Sequence, residues 1–569
     1  MSTIIEDKKI FKILCKIGEG TYGIVYKLID EEGNEFAYKR IMSQLVKQPG
    51  AHTESLREAD ILNRLNKNPR IVNLKMISLG CPPTDRPLSP LKSVDKSPTT
   101  DDLLHFLFEN ANCNLRRWIK DHKLNFDQLK QFMVDILLGA ESIAQSEILH
   151  RDLNPANILI YEPGEDLLTP EFIKKFHTPS PNLKEEIQSP IDFKKLYRAK
   201  ICDFGLAIPN VRDKNRTCGV VTAWYRAPEI IGENQDYGTK SDAWSIGCIF
   251  FEMLFRVPFT GKVSDSKNEL ISGIIKNATY KYSEYELKKI LGCDRRKHTT
   301  IQRPIKSRIN NNKLLRSMIV NRNGDLKKQM LLTAPLDTDS NKIIDQINDV
   351  ISSLLIIDPD KRSSVSEVLD MSLFDSHREY IRQFREVYPP RYPHEYKYDI
   401  RNTKSRKNVV DYIISIYNNK KNYDWYNDRA FFHAIDLFDR DIRYHIRIDN
   451  LMDDANESEL HFFACLYLSI RYFCTLSSPV EPTDILPNHI QRDKKNLVKL
   501  AEIELTILLD VIEYSFYRYG IYEAISELEG ENINYEILYT EAVKILSRET
   551  KIANGLTPTE LAVKLLKKI

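Results

Sequence analysis

The run Gly18-Glu19-Gly20-Thr21-Tyr22-Gly23 limits the fold more than any other feature, because of what flanks it. Upstream, Ile13, Cys15 and Ile17 alternate with other residues; downstream, Val25 and Tyr26, then Phe36, Ala37 and Tyr38, continue strand-like. Glycines let backbone N–H groups approach phosphate oxygens without a Cβ in the way. A dinucleotide-binding turn needs a helix directly after its glycines, whereas Ile24, Val25 and Tyr26 read as a returning strand. The run is therefore expected to cover phosphates within a hairpin. Lys39 then places an ammonium in the next strand. A predicted helix, Glu54 to Leu65, with Leu56, Ala59, Leu62 and Leu65 on one face, carries Glu58 as a partner for that cation.

Further along, His150-Arg151-Asp152-Leu153-Asn154-Pro155-Ala156-Asn157 supplies a carboxylate and a carboxamide, and Asp203-Phe204-Gly205 a second carboxylate. Phosphoryl transfer asks for a metal ion bridging phosphate oxygens, a cation on the phosphate chain, and an acceptor for the hydroxyl proton. These residue types meet those needs. Trp224-Tyr225-Arg226-Ala227-Pro228-Glu229 follows, and Arg362 is a candidate partner for Glu229.

The 569 residues predict more than one folding unit. Insertions are expected at about 79–102, 162–198 and 281–340, where Pro, Ser, Thr and charged residues interrupt the apolar spacing. Residues 377–403, rich in Tyr, Arg and Pro, read as a linker. Beyond them the periodicity is helical only: Ala430, Phe431, Ala434, Ile435 and Phe438 make one apolar face, Leu460, Ala464, Tyr467 and Leu468 another, and Leu497, Leu500, Ile507, Leu508 and Val511 a third. Thr557-Pro558-Thr559-Glu560 predicts the start of a last helix.

With 82 basic against 80 acidic residues, the net charge of +2 speaks against direct nucleic-acid binding. The longest stretch without Asp, Glu, Lys or Arg, Leu460 to Ile470, is short of the ~20 residues that span a bilayer, and Met1 to Ile10 lacks the apolar core of a secretory signal. Nine cysteines with no C-x-x-C pair suit reduced thiols. The expectation is an intracellular monomer, in cytoplasm or nucleus, without a membrane partner.

In this order the motifs resemble a eukaryotic protein kinase of the cyclin-dependent kinase family: Gly-Glu-Gly-Thr-Tyr-Gly, His-Arg-Asp-Leu, Asp-Phe-Gly-Leu-Ala and Val-Val-Thr-Ala-Trp-Tyr-Arg-Ala-Pro-Glu are close to that family's wording. The resemblance implies an α+β, bilobal protein kinase fold over residues 1–376, with ATP and Mg²⁺ as cofactors. By position, Asp152 would be the catalytic base, Asn157 and Asp203 the metal ligands, Lys39 the phosphate cation and Glu58 its helix partner. Ile17, Gly18, Gly20, Gly23, Val25, Ala37, Lys39 and Phe108 would line the nucleotide, Phe108 at the gatekeeper position, with Glu109 and Ala111 offering backbone bonds to adenine. Thr217 would be the activating phosphorylation site, gripped by Arg57 and Arg151; a third arginine of the family's site is Ile208 here. Thr21 and Tyr22 match inhibitory sites. Val220, Val221 and Arg226 imply Ser/Thr-Pro protein substrates. The family's usual Lys two residues after the base is Asn154, which removes a cation near the transferred phosphate.

Residues 404–569 resemble an all-α, cyclin-like domain with a single cyclin box, on Asp424-Trp425-Tyr426, Ala434-Ile435-Asp436-Leu437-Phe438-Asp439-Arg440, the run Phe463 to Arg471, and Ile503-Glu504-Leu505. Arg471 and Glu504 would grip the start of the kinase's regulatory helix. The resemblance implies a proline-directed Ser/Thr kinase activated in cis by an intramolecular cyclin-like domain, since a tether raises local concentration. The alternative is a slow or non-catalytic nucleotide-binding scaffold whose helical tail recruits partners or autoinhibits.

Overall fold

The computed structural model describes residues 11–19, 23–41, 53–65, 68–79, 104–122, 125–163, 196–210, 222–234, 237–260, 338–389, 397–448 except 402 and 424, 454–473, 482–487, 520–526 and 533–568, with scattered positions at 269, 270, 274, 491–507 and 528. The chain divides into two compact units. One comprises Met1–Arg64, Met76–Leu107 and Tyr392–Ile569; the other comprises Leu65–Lys75 and Phe108–Arg391.

The first unit opens with strands β1 (Lys12–Glu19), β2 (Gly23–Ile29) and β3 (Glu35–Ile41), antiparallel in sequence, followed by helix α1 (Thr53–Leu65) and strands β4 (Leu74–Leu79) and β5 (Leu104–Glu109). The sheet order is β1-β2-β3-β5-β4. Between β2 and β3 the Asp30 carboxylate accepts from the N–H groups of Glu32 and Asn34, and Gly33 takes φ +88°. That Asx-type turn fixes the hairpin register, Val25 opposite Lys39. Phe11, Leu28, Tyr38 and Leu107 are buried together, with Ile13, Tyr26, Phe36 and Met76 packed on them. Alternation along β2 and β3 puts these side chains on one face.

The second unit has short strands β6 (Cys113–Asn114), β7 (Ile148–Leu149), β8 (Ile158–Tyr161), β9 (Arg198–Ile201) and β10 (Ile208–Pro209) among helices α2 (Leu115–Asp121), α3 (Phe126–Gln145), α4 (Pro228–Ile231), α5 (Thr239–Phe255), α6 (Thr338–Leu354), α7 (Val365–Leu369) and α8 (Arg378–Val387). Asn125 caps α3 by accepting from Gln128 N–H. The Asp135 carboxylate of α3 pairs with Arg70 at 3.0 Å and Arg198 at 2.9 Å, all fully buried. The Tyr380 hydroxyl accepts from both guanidiniums. The Glu229–Arg362 pair named as a candidate forms, two-pronged, at 2.8 and 2.9 Å, and both side chains are buried.

Two sequence boundaries move. The interval 377–403 is not linker from its start: Arg378–Val387 is helical, with Tyr380, Ile381 and Phe384 buried and Arg385 paired to Glu141 at 2.7 Å. Of its Arg and Tyr side chains, Tyr380 is a core group and Arg385 reaches the buried Glu141, while Arg378 and Arg382 form exposed ion pairs. Residues 390–396 lie outside the described ones. Secondly, β9 begins at Arg198 and α6 at Thr338, so the second and third insertions end sooner than expected; what remains of the inserts lies almost wholly outside the described residues.

The first unit resumes with helices α9 (Lys404–Asn418), α10 (Asp428–Arg447), α11 (Ala455–Phe473), α12 (Pro482–Ile485), α13 (Ile521–Ser526), α14 (Tyr535–Ser547) and α15 (Pro558–Lys568). Ala430, Phe431, Ala434, Ile435 and Phe438 are buried on α10, and Leu460, Ala464, Tyr467 and Leu468 on α11. Leu500 and Ile507 are buried too, while Leu497, Leu508 and Val511 lie outside the described residues. At Thr557 the reciprocal bonds of a capping box form: Thr557 N–H to Glu560 Oε2 at 2.8 Å and Glu560 N–H to Thr557 Oγ1 at 3.2 Å. No helix among the described residues is long and apolar enough to cross a membrane.

Candidate active site

In the first unit, Lys39 on β3 donates to both Glu58 oxygens at 2.8 Å. Both side chains are largely buried, 13% and 4% exposed, so the pair is shielded from solvent screening. Ile17 and Gly18 lie at the end of β1, Gly23 and Val25 on β2, and Ala37 beside Lys39. Among the described residues, a Cβ at Gly18 would meet only Val25, at 3.8 Å, an ordinary contact. Gly20, Thr21 and Tyr22 lie outside the described residues.

One turn of α1 carries the second feature. Arg57, buried beside Glu58, donates through Nε to the Tyr472 carbonyl at 2.6 Å and through Nη2 to the Arg471 carbonyl at 3.4 Å. These oxygens belong to the last turn of α11, where helix carbonyls lack intrahelical partners and the helix dipole is negative, so a guanidinium is well matched to them. The Tyr472 hydroxyl donates to Asp60 Oδ2 at 2.6 Å. Burial, with Asp60 alongside, pushes that phenol well above its ordinary pKa. The side chains of Arg471 and Glu504, expected to reach the start of α1, pair with each other at 3.1 Å. The side chains of Thr53 and Glu54 at that start are outside the described ones. Nothing in the sequence singles out Tyr472 or Asp60; residues so far apart in the chain leave no local signal.

In the second unit, Phe108 is buried, and Glu109 donates its backbone N–H to Asn73 O at 3.1 Å. What Glu109 can offer an adenine is therefore its carbonyl. Its carboxylate accepts from Lys200 Nζ at 2.8 Å and Asn73 N–H at 2.9 Å, a structural use that the sequence does not reveal. Ala111 follows two residues on, half-buried.

Asp152 stands in a tight web. Its Oδ1 accepts from the N–H and Oγ1 of Thr222, each at 3.0 Å, and its Oδ2 from Asn157 Nδ2 at 2.9 Å. A carboxylate offers about four lone-pair sites, so these three bonds orient it and leave capacity for one more donor. Asn154 Nδ2 donates to the Asp152 carbonyl at 3.1 Å while its Oδ1 accepts from Ala156 N–H at 2.9 Å, capping the turn Pro155–Asn157. The amide standing at the family's lysine position is thus fully employed in local structure. Asp242, buried, accepts from the N–H groups of His150 and Arg151 at 2.8 and 3.0 Å; burial raises its carboxyl pKa, opposed by His150 and those bonds. Arg151 and Asp203 both take φ +65°, an unusual conformation for residues with a Cβ and one that is held by surrounding packing. Phe204 is buried against His150, ring centroids 4.9 Å apart, and Cys202 N–H donates to Asn157 O at 3.0 Å, tying the Asp203 strand end to Asn157. Thr217 lies outside the described residues; Arg151 Nε donates to Leu206 O at 2.7 Å.

The oxygen donors of Asn157 and Asp203 are hard ligands suited to Mg²⁺. Asn157 Nδ2 is spent on Asp152, at 2.8 Å to its carbonyl and 2.9 Å to its carboxylate, which fixes the amide with its oxygen as the remaining group. The donor set thus fits such an ion.

A protein kinase domain model matches residues 11–374. Cyclin-dependent kinase G1 of Arabidopsis thaliana is 32% identical over 260 residues, which are 44% of this chain and 34% of that protein, so the chain matches about a third of its relative's length. Among solved structures, the yeast RNA Pol II CTD kinase CTDK-1 complex is similar at 21% identity and TM-score 0.44, covering 66% of this chain and 95% of that one. The CAK complex from Chaetomium thermophilum bound to ATP-gamma-S is similar at 22% identity and TM-score 0.44, covering 64% and 91%. The family model spans well over half of the 569 residues, and the chain belongs to the protein kinase family, whose domain implies ATP and a divalent metal.

Proposed function

We propose that the chain is a proline-directed serine/threonine protein kinase of the cyclin-dependent type, switched on in cis by a cyclin-like domain spanning residues 404–569. The observation that carries this reading is α1, where Glu58 holds Lys39 while the adjacent Arg57, with Asp60, is bonded to Tyr472 of the helical region. A helix so clamped keeps its carboxylate on the lysine, the state in which Lys39 is positioned for the ATP phosphates.

The reaction assigns one role to each group. The substrate hydroxyl oxygen forms a bond to the γ-phosphorus, the bond from that phosphorus to the β-bridging oxygen breaks, and ADP leaves with the electron pair. Asp152, oriented by Thr222 and Asn157, receives the hydroxyl proton. Asn157 and Asp203 would hold Mg²⁺, which neutralises phosphate charge when bound. Lys39 supplies fixed positive charge to the phosphates. Among the described residues a Cβ at Gly18 would meet only Val25, which leaves room above the strand for a phosphate-covering role. The described cysteines are all free thiols, in keeping with an intracellular enzyme.

The test is phosphorylation of Ser-Pro and Ser-Ala peptides by purified full-length chain with Mg²⁺ and ATP, beside Asp152→Asn, Tyr472→Phe and a deletion of 404–569. Label on Ser-Pro that is absent with Asp152→Asn is expected. Tyr472→Phe removes a hydrogen bond to a charged group, about 1.5–3 kcal/mol, and should lower kcat/KM by about tenfold; the deletion should lower it further. A deletion as active as the whole chain refutes activation in cis, and equal use of Ser-Ala refutes the proline preference.

A further inference from the structure

We propose that Asp441, His445 and His461 form a transition-metal site of the zinc class that pins α10 to α11, independently of the kinase reading. Asp441 and His445 stand one turn apart on α10, and His461 faces them from α11; one ligand atom from each lies within 4.8 Å of the others. All three are buried, at 0%, 8% and 5% exposure. His461 Nδ1 lies 2.6 Å from Asp441 Oδ2, and His445 Nε2 lies 3.5 Å from Asp441 Oδ1. The two imidazoles meet edge to face, centroids 4.9 Å apart.

A carboxylate sealed in a helical core is costly unless its charge is met. Asp441 is sealed, and its Oδ1 has no hydrogen bond among the described residues. A divalent ion meets that charge directly. Two imidazole nitrogens and one carboxylate oxygen are a zinc-type donor set, distinct from the all-oxygen set that suits Mg²⁺. Ligands about 2.05 Å from a tetrahedral zinc stand roughly 3.3 Å apart. The three ligand atoms lie within 4.8 Å of one another, so side-chain shifts of roughly 1–2 Å bring them to that spacing around one ion.

Full-length chain, stripped with chelator and kept in excess Mg²⁺, is titrated with Co²⁺ and then Zn²⁺. One cobalt per chain is expected, with visible bands of four-coordinate strength that zinc abolishes, and a raised thermal midpoint. His445→Gln and His461→Gln should each weaken binding at least about tenfold, whereas Asp203→Asn should keep it. Circular dichroism checks that the variants fold. Should neither fold, the wild-type titration decides: absence of tight cobalt or zinc binding overturns the site. So does binding retained in folded His445→Gln and His461→Gln.

Discussion

Asn154 shows how one side chain can trade chemistry for local order. Its amide caps the turn that carries Asn157 and bonds the Asp152 carbonyl, but it brings no charge. Asn154→Lys should raise kcat by about tenfold or more, the scale of a preorganised electrostatic donor, while losing a cap of about 1 kcal/mol in thermal stability. An unchanged or lower kcat would show that the missing cation is not limiting. Arg57 makes a second case. Its guanidinium is bonded to the Tyr472 and Arg471 carbonyls, and Ile208 stands where a third arginine would be. Thr217→Ala should therefore cost less than about tenfold in kcat/KM, with Asp203→Asn close to inactive; equal losses would restore full dependence on phosphate at Thr217. The Lys39–Glu58 pair was legible because a cation inside a strand needs a carboxylate partner, and Asp152 and Asn157 stand close enough in sequence to be bonded, as they are. The bonds of Thr222, Tyr472 and Asp60 were not, since each joins groups far apart in the chain.

Among the elements, the hairpin of β2 and β3, the capped start of α15 and the apolar faces of α10 and α11 follow from local rules that the sequence displays directly. Helix α8 did not. Its apolar Tyr380, Ile381 and Phe384 have helical spacing, but nothing local shows that the Tyr380 hydroxyl accepts from Arg198 or that Arg385 pairs with Glu141. The helical region also has a pH signature. Burial lifts the Glu504 carboxyl from 4.5 to about 7, opposed by Arg471, and lifts Asp439 from 3.8 to about 6, opposed by Arg406. A carboxyl with a raised folded-state pKa binds its proton more tightly when folded. Its contribution is therefore complete below the unfolded value and is lost as pH rises through the folded one. Between about pH 4.5 and 7 the denaturation midpoint of the wild type should fall with rising pH, and Glu504→Gln should flatten that slope. A slope unchanged in Glu504→Gln would place the titration elsewhere.

At the scale of the whole molecule, the sheet of β1 to β5 and helix α1 group with residues 392–569 rather than with the helices that follow them in sequence. Deletion of 404–569 removes the partners of Arg57 and Asp60 and exposes apolar surface of the unit that remains. Amide exchange in α1 should then accelerate by at least about tenfold, whereas α3, held by the Asp135 network, keeps its protection. Equal protection of α1 in both forms would mean that the sheet needs no help from the helical region.

The packing of α8 has a consequence for control. Tyr380 and Arg385 anchor that helix, which ends at Val387, and Tyr398 is bonded to Leu556 and Gly555, so only residues 388–397 connect the two anchored points in sequence. A connection of that length spans at most about 3.3 Å per residue. Under the proposed activation in cis, an unrelated activator drifting through the cell would face a rival on the same polypeptide, so rises and falls in a separately made protein would pass unnoticed. Output would instead follow how fast this one polypeptide is synthesised and degraded.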